Sequence, residues 1–274
     1  MAYIIKGDGL KFKSVFKIIG CGIVKNFIDN FNLINLKEVD STNNYIKKNW
    51  EKLSDLTVVT AEKQTAGRGR TGKSFESPKG TGAYFSLLLK NNISTEISKR
   101  LTVMAAIAVL DELKTVTQRD VKIKWVNDIY IDGKKVCGIL TEGSVNPEKD
   151  IWNYAVIGIG INLNEPENGF PSEIADIVTT VFESKCSEMQ KQKLINGIVG
   201  RIYRMVRGED LSYIDRYREN SYLDGKKIDI IRENSSESAT ALYIDESCNL
   251  VVIKDGNGET ETLFSGDVSI KPER

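Results

Sequence analysis

Val121-Lys122-Ile123-Lys124-Trp125-Val126-Asn127-Asp128-Ile129-Tyr130-Ile131-Asp132-Gly133-Lys134-Lys135-Val136-Cys137-Gly138-Ile139-Leu140 decides the reading of the chain. Residues 121–125 alternate apolar and polar, the period of a half-buried strand. Residues 129–131 and 135–140 are two further strand-like runs, and Asp132-Gly133 lies between them. Asp-Gly suits the left-handed conformations of a type I′ turn, so a hairpin is expected here. Working outward, residues 154–162 read as another strand, with Gly158 and Gly160 on alternate positions. Glycine inside a strand marks a close approach of backbone or ligand. Upstream, Ile97, Leu101, Met104 and Ala108 share one helical face, predicting a helix over 97–117. Residues 83–89 form an apolar run that reads as a buried strand, and residues 57–62 form another strand. A helix over 188–207, stopped at Gly208, and a shorter one over 213–220 follow. After Leu223, four short runs separated by turn residues (226–232, 239–245, 249–254, 261–270) suggest a small β-barrel.

The chain has 274 residues, room for one or two domains with a core that needs no disulfide staples. Hydrophobic residues are 41% and charged residues 28%, the profile of an ordinary globular protein. Lys plus Arg equal Asp plus Glu at 38 each, so no whole-chain affinity for polyanions is expected. Histidine is absent. That excludes a Ser-His-Asp or Cys-His nucleophile, an imidazole base and His-ligated zinc. Cys21, Cys137, Cys186 and Cys248 are scattered without a C-x-x-C pair, so free thiols in a reducing cytoplasm are expected. No apolar run reaches spanning length, and Lys17 and Lys25 bracket the short run near the start, so neither a membrane span nor a signal peptide is expected. Residues 1–35 carry five lysines against two aspartates, net +3, and are too short for a domain presenting a recognition helix. No specific DNA binding is expected of them. Residues 224–274 carry six basic and eleven acidic residues, which argues against a nucleic-acid module there.

Three stretches carry chemistry. Gln64-Thr65-Ala66-Gly67-Arg68-Gly69-Arg70-Thr71-Gly72-Lys73 interleaves glycines with cations between two strands. It reads either as a cradle for phosphate or as a solvated basic loop; it matches neither G-x-x-x-x-G-K-[ST] nor G-x-G-x-x-G. Lys124-Trp125-Val126-Asn127-Asp128 with Lys135 reads either as a site where Asn127 and Asp128 hold a metal-bound phosphate and Lys135 neutralises developing charge, or as a turn with flanking lysines. Asp40-Ser41-Thr42-Asn43-Asn44 reads either as a helix start capped by Ser41 or Thr42, or as hydroxyls and amides for a polar ligand head.

Jointly, these stretches resemble the biotin protein ligases. The matching residues are Asp40-Ser41-Thr42-Asn43, the loop from Gln64 to Gly72, Lys124-Trp125-Val126-Asn127-Asp128 with Lys135 and Gly138-Ile139-Leu140, and Ile157-Gly158-Ile159-Gly160-Ile161-Asn162. Their order and spacing match as well, over about residues 36–270. Val126 stands where the family usually has Pro, and Phe75 where it often has Trp. Many members carry an N-terminal helix-turn-helix repressor domain; a form without it is expected here.

The resemblance implies an α+β fold: a mixed-sheet catalytic domain over 36–222, an SH3-like β-barrel over 223–274, and an N-terminal extension, 1–35, of no assigned role. It implies ATP-dependent biotinylation of a lysine on a biotin carboxyl carrier protein, through biotinyl-5′-AMP and with Mg²⁺ on the nucleotide; no metal-ligand residue is assigned. By carry-over, Ser41, Thr42, Asn43, Gln64, Gly67, Arg68, Gly69, Arg70, Lys135, Gly138 and Gly158 bind biotin or the acyl-adenylate. Gly138 and Gly158 are expected to let the biotin ring approach the sheet. Phe75, Lys124, Asn127, Asp128 and Asn162 lie on the nucleotide side. Lys135, Arg68 and Arg70 are the catalytic cations. Alternatives are a lipoate or octanoate ligase, a non-catalytic biotin-sensing regulator and a basic-loop RNA-binding protein. A homodimer is left open.

Overall fold

A computed structural model describes residues 31–90, 93–146, 148–149, 151–232, 235–264 and 269–272. The expectations for residues 1–30, Cys21 among them, lie outside the described residues. The first sheet contains β1 (Asn32–Val39), β2 (Thr57–Gln64), β3 (Gly82–Leu89), β4 (Ile93–Ser94), β5 (Val121–Lys124), β6 (Asp128–Ile131), β7 (Lys134–Asn146) and β8 (Ile151–Asn162). Its order is β1-β2-β3-β8-β7-β6-β5, with β4 pairing β8. Only β1 and β2 run parallel; the remaining pairs are antiparallel, so the sheet is mixed.

The helices are α1 (Thr42–Asn49), α2 (Thr95–Val116), α3 (Ser172–Ala175), α4 (Glu188–Val206) and α5 (Tyr213–Glu219). β3 is buried along its whole length because both faces of the sheet are covered there. Phe85, Leu87 and Leu89 join the large core with Leu101, Met104 and Ala108 of α2, and with Ile198 and Ile202 of α4. Leu88 points the other way, to Ile46 of α1, Val59, Tyr154 and Val156. The period of two along a strand produces this division. Both long helices are capped: Ser94 Oγ accepts from Ile97 N, and Ser187 with Gln190 forms a capping box.

The Asp132-Gly133 hairpin forms as expected. Both residues have positive φ (50° and 77°), and Ile131 pairs with Lys134. β1, by contrast, begins at Asn32, before the boundary at 36 expected from sequence. It is an edge strand whose side chains are exposed or half-exposed; only Ile34 and Leu36, two positions apart, pack against the cluster around Ile46, so its apolar period is short.

The second sheet contains β9 (Lys227–Arg232), β10 (Ser235–Ile244), β11 (Leu250–Lys254), β12 (Thr260–Leu263) and β13 (Ser269–Pro272), all antiparallel, in the order β12-β11-β10-β9-β13. The run over 261–270 thus becomes two strands. Among the described residues the path is open, without a β12–β13 pairing. Ile228, Ile230, Leu250 and Val252 of this sheet belong to the same buried cluster as the first sheet. Trp125 Nε1 donates to Cys248 O at 2.9 Å, and Arg218 Nε donates to Ile244 O at 2.9 Å, tying the two together. Among the described residues, no helix is long and apolar enough to cross a membrane.

Candidate functional site

The turn from β1 into α1 builds a polar compartment. Asp40 Oδ1 accepts from Ser41 N, and Oδ2 accepts from Asn44 Nδ2. Burial alone would raise the Asp40 pKa, but these bonds and Lys48 outweigh it and hold the carboxyl below its ordinary value. Ser41 stands at the N-cap position of α1 without a side-chain cap bond, and it lines the compartment. Thr42 N and Thr42 Oγ1 both donate to Gln64 Oε1, at 2.9 and 3.2 Å. Gln64 Nε2 donates to Ser77 Oγ at 2.9 Å. Ser86 Oγ lies 2.7 Å from Thr42 Oγ1 and 2.6 Å from Asn43 Oδ1, with one hydrogen to give.

Asn43 Nδ2 donates to Leu140 O at 3.2 Å and to Glu142 Oε2 at 3.0 Å, so both its amide hydrogens are engaged. Among the side chains lining the compartment, Asn43 Oδ1 already accepts from Ser86, which leaves the Ser41 hydroxyl and the second amide hydrogen of Gln64 to meet a ligand. A Cβ at Gly158 would lie 2.2 Å from Asn43 Oδ1. Gly158 thus makes room for Asn43, and it lines the same compartment.

Beside this lies a cleft of about 130 Å³, walled on one side by Arg68, Gly69, Arg70, Lys73 and Phe75 and on the other by Lys124, Asn127, Asp128, Lys135 and Gly138. The loop closes on itself: Gly69 N donates to Lys73 O at 2.6 Å, and Phe75 N donates to Gly67 O at 2.9 Å. Lys135 Nζ lies 2.7 Å from Asp128 Oδ1. Arg70 Nη1 donates to Asn127 Oδ1 at 3.3 Å, and Asn127 Nδ2 donates to Ile139 O at 2.9 Å. Burial lowers the Lys124 pKa; Asp128 opposes that, while Lys135, Lys73 and Arg70 add to it. Five cations and one carboxylate line the cleft, the charge balance of an anion site.

Several sequence-predicted residues take unexpected places. Arg68 lines both compartments, but its Nη1 donates to Asn44 Oδ1 at 3.1 Å and pairs with Glu142 Oε1 at 2.9 Å. Asn162 lines neither compartment; its Nδ2 donates to Thr179 O at 3.3 Å. It sits at the far end of β8, beside the 179–182 segment. Gly138 is under the Phe75 ring, with a would-be Cβ 3.3 Å from the ring. Val126 is buried, follows a cis peptide, and its carbonyl accepts from Tyr217 Oη at 3.0 Å. Sequence reasoning passed over Ser77, Ser86 and Glu142. Ser86 was legible as a hydroxyl inside an otherwise apolar strand. Glu142 pairs with Lys47 at 2.7 Å and with Arg68, partners far away in sequence.

Residues 36–162 match the biotin/lipoate A/B protein ligase family. The chain is 40% identical over 143 residues to the bifunctional ligase/repressor BirA of Bacillus subtilis, covering 52% of this chain and 43% of that protein. It is 35% identical over 130 residues to the biotin–[acetyl-CoA-carboxylase] ligase of Paracoccus denitrificans, covering 47% of this chain and 53% of that protein. The match thus spans about half the length of these relatives. The structure of biotin protein ligase from Aquifex aeolicus in complex with biotin and ATP superposes with a TM-score of 0.73 at 28% identity, over 88% of this chain and 99% of that one.

Proposed function

We propose that this chain, whose residues 36–162 match the biotin/lipoate A/B protein ligase family, attaches biotin to a lysine of a carboxyl carrier protein at the expense of ATP. The observation that carries the reading is the junction of two compartments along Arg68, Phe75 and Gly138: a polar one with hydroxyl and amide groups, and a cationic one. An acyl-adenylate needs that pair. Its acyl head requires donors and acceptors, and its phosphate requires positive charge.

In the first step the biotin carboxylate oxygen attacks the α-phosphorus, the bond to the pyrophosphate oxygen breaks, and biotinyl-5′-AMP forms. In the second, the carrier lysine attacks the acyl carbon, AMP leaves, and the amine gives up a proton. Charge grows on phosphate oxygens in both steps, and Arg70, Lys124 and Lys135 stand as fixed cations against it. Arg70 keeps its charge although burial lowers its pKa. Ser41 and Gln64 orient the acyl head, and Phe75, Asn127 and Asp128 face the nucleotide side. Mg²⁺ takes oxygen ligands, commonly one or two carboxylates with substrate phosphates. Asp128 is the one carboxylate lining the cleft, and it would hold the ion there to screen phosphate charge.

Acetyl-CoA-carboxylase ligases among the relatives support a carboxylase carrier as partner. Cys137, Cys186 and Cys248 are unpaired, which supports a reducing cytoplasm. We further assign 223–274 to an SH3-like barrel, supported by its five-stranded antiparallel sheet.

The test is ATP–pyrophosphate exchange with biotin, lipoate or octanoate. Exchange with biotin is expected. Exchange with lipoate or octanoate alone overturns the substrate. Lys135→Ala should slow biotin-dependent exchange by about 100-fold, the scale for one preorganised group on developing charge. Its thermal stability should change little, because the Lys135–Asp128 pair is partly exposed.

A further inference from the structure

The cationic cleft takes Lys124, Asn127 and Asp128 from the junction of β5 and β6. Residues 125–127 belong to neither strand, so the β5–β6 ladder does not set the peptide between Val126 and Asn127. Its oxygen, Val126 O, accepts instead from Tyr217 Oη of α5 at 3.0 Å, and Tyr217 is only 1% exposed. A peptide unit is planar, so holding this oxygen fixes where Asn127 N lies. It thereby sets the direction from which Asn127 and Asp128 leave the turn. Those side chains then meet their partners: Asn127 Oδ1 accepts from Arg70 Nη1 at 3.3 Å, and Asp128 Oδ1 lies 2.7 Å from Lys135 Nζ.

The helix that carries Tyr217 is itself fixed from several sides. Arg216 pairs with Asp111 of α2 and with Asp210 just before α5. Arg218 Nε donates to Ile244 O of the second sheet at 2.9 Å. Three consecutive residues thus tie α5 to the helix layer, to the cleft and to the second sheet. Beyond α5, Ile123 N donates to Asn220 O and Tyr222 N donates to Ile123 O, both at 2.8 Å. These bonds lay the chain along β5, the last strand of the first sheet. Burial pushes the Tyr217 pKa well up, so its hydroxyl stays protonated and donating.

We propose that Tyr217 is a positioning residue for the nucleotide side of the site. Its hydroxyl, through the Val126 carbonyl, aims Asn127 and Asp128 into the cleft. The proposal rests on the biotin-ligase reading above. It separates the two substrates, because none of residues 124–128 lines the polar compartment.

The experiment is ATP–pyrophosphate exchange by the full chain at saturating biotin, in wild type and Tyr217→Phe, which keeps the ring and removes the hydroxyl. The kcat/KM for ATP should fall by about tenfold, short of the roughly 100-fold that a displacement of about 1 Å costs. The Kd for biotin without ATP should not change. Tyr213→Phe removes another hydroxyl from α5, one that meets Arg100 instead, and should leave both quantities as in wild type. If Tyr217→Phe does not fold, Asp210→Asn loosens α5 from its far side and should lower kcat/KM for ATP alone. Unchanged ATP kinetics in the variant read, a parallel loss of biotin affinity, or the same loss in Tyr213→Phe would overturn the positioning role and leave Tyr217 as packing. Wild-type protein without biotin-dependent exchange would instead sink the ligase reading.

Discussion

Glu142 shows how one carboxylate can organise a site that no local motif announces. It accepts from Asn43 and from Lys47, and it pairs with Arg68, so three residues from two distant segments converge on it. Burial raises its pKa, but the bonds to Lys47 and Asn43 and the charges of Lys47 and Arg68 outweigh that, and the net shift is below 4.5. The unfolded chain therefore takes up the proton at a higher pH than the native one does. The stabilisation is complete above the unfolded value and is lost as pH falls through the native pKa. Urea midpoints of wild type and Glu142→Gln should accordingly differ by a constant amount at neutral pH and converge in acid. A gap that widens toward acid would contradict this assignment of charge.

The elements differ in how openly their sequences declare them. The β6–β7 hairpin was legible because Asp132-Gly133 satisfies a local backbone requirement that few other pairs satisfy. α2 was legible because Ile97, Leu101, Met104 and Ala108 recur at helical spacing, although the helix is buried all round from Val103 to Leu110. β1 was not, since an edge strand with only Ile34 and Leu36 turned to the core gives a period too short to read. The loop from Gly67 to Phe75 falls between these cases. Its composition marks it as functional, but its shape comes from bonds between its own ends. A Cβ at Gly67 would lie 2.2 Å from the backbone oxygen of Phe75, so Gly67→Ala must displace one arm of the loop. Adenylation should fall by about 100-fold, since misplacing catalytic groups by about 1 Å costs on that order. The melting temperature should move by no more than about 4 °C, about the effect of 1 kcal/mol in a chain of this size. A large loss of stability with normal adenylation would assign Gly67 to folding alone.

Among the described residues, both sheets share one buried core, and a thiol from each reports on it. Cys137 stands on β7 of the first sheet and Cys248 in the turn between β10 and β11 of the second, both within the same cluster. Burial pushes the Cys137 thiol far up and the Cys248 thiol up to about 11. At pH 8 both should resist alkylation in the native protein, while half-exposed Cys186 reacts first. With rising urea, the peptides carrying Cys137 and Cys248 should become labelled at the same midpoint, read by mass spectrometry. Labelling of Cys248 well before Cys137 would show the C-terminal sheet unfolding on its own.

Local order and the chemical kind of each site segment were determined by sequence alone: the Asp-Gly turn, the helical face of α2, the cation-rich glycine loop and the absence of histidine. These depend on neighbours within a few positions, where sterics and hydrophobic period act directly. Only the tertiary structure decided how the segments are used. It turned the Asn43 amide onto Leu140 and Glu142, gave the space above Gly158 to Asn43, and seated Phe75 over Gly138 and Gly160. It also turned the Asn162 side chain toward Thr179. Strand register sets those encounters between residues 17 to 115 positions apart, and register is chosen by burial of the whole sheet, which no single segment encodes.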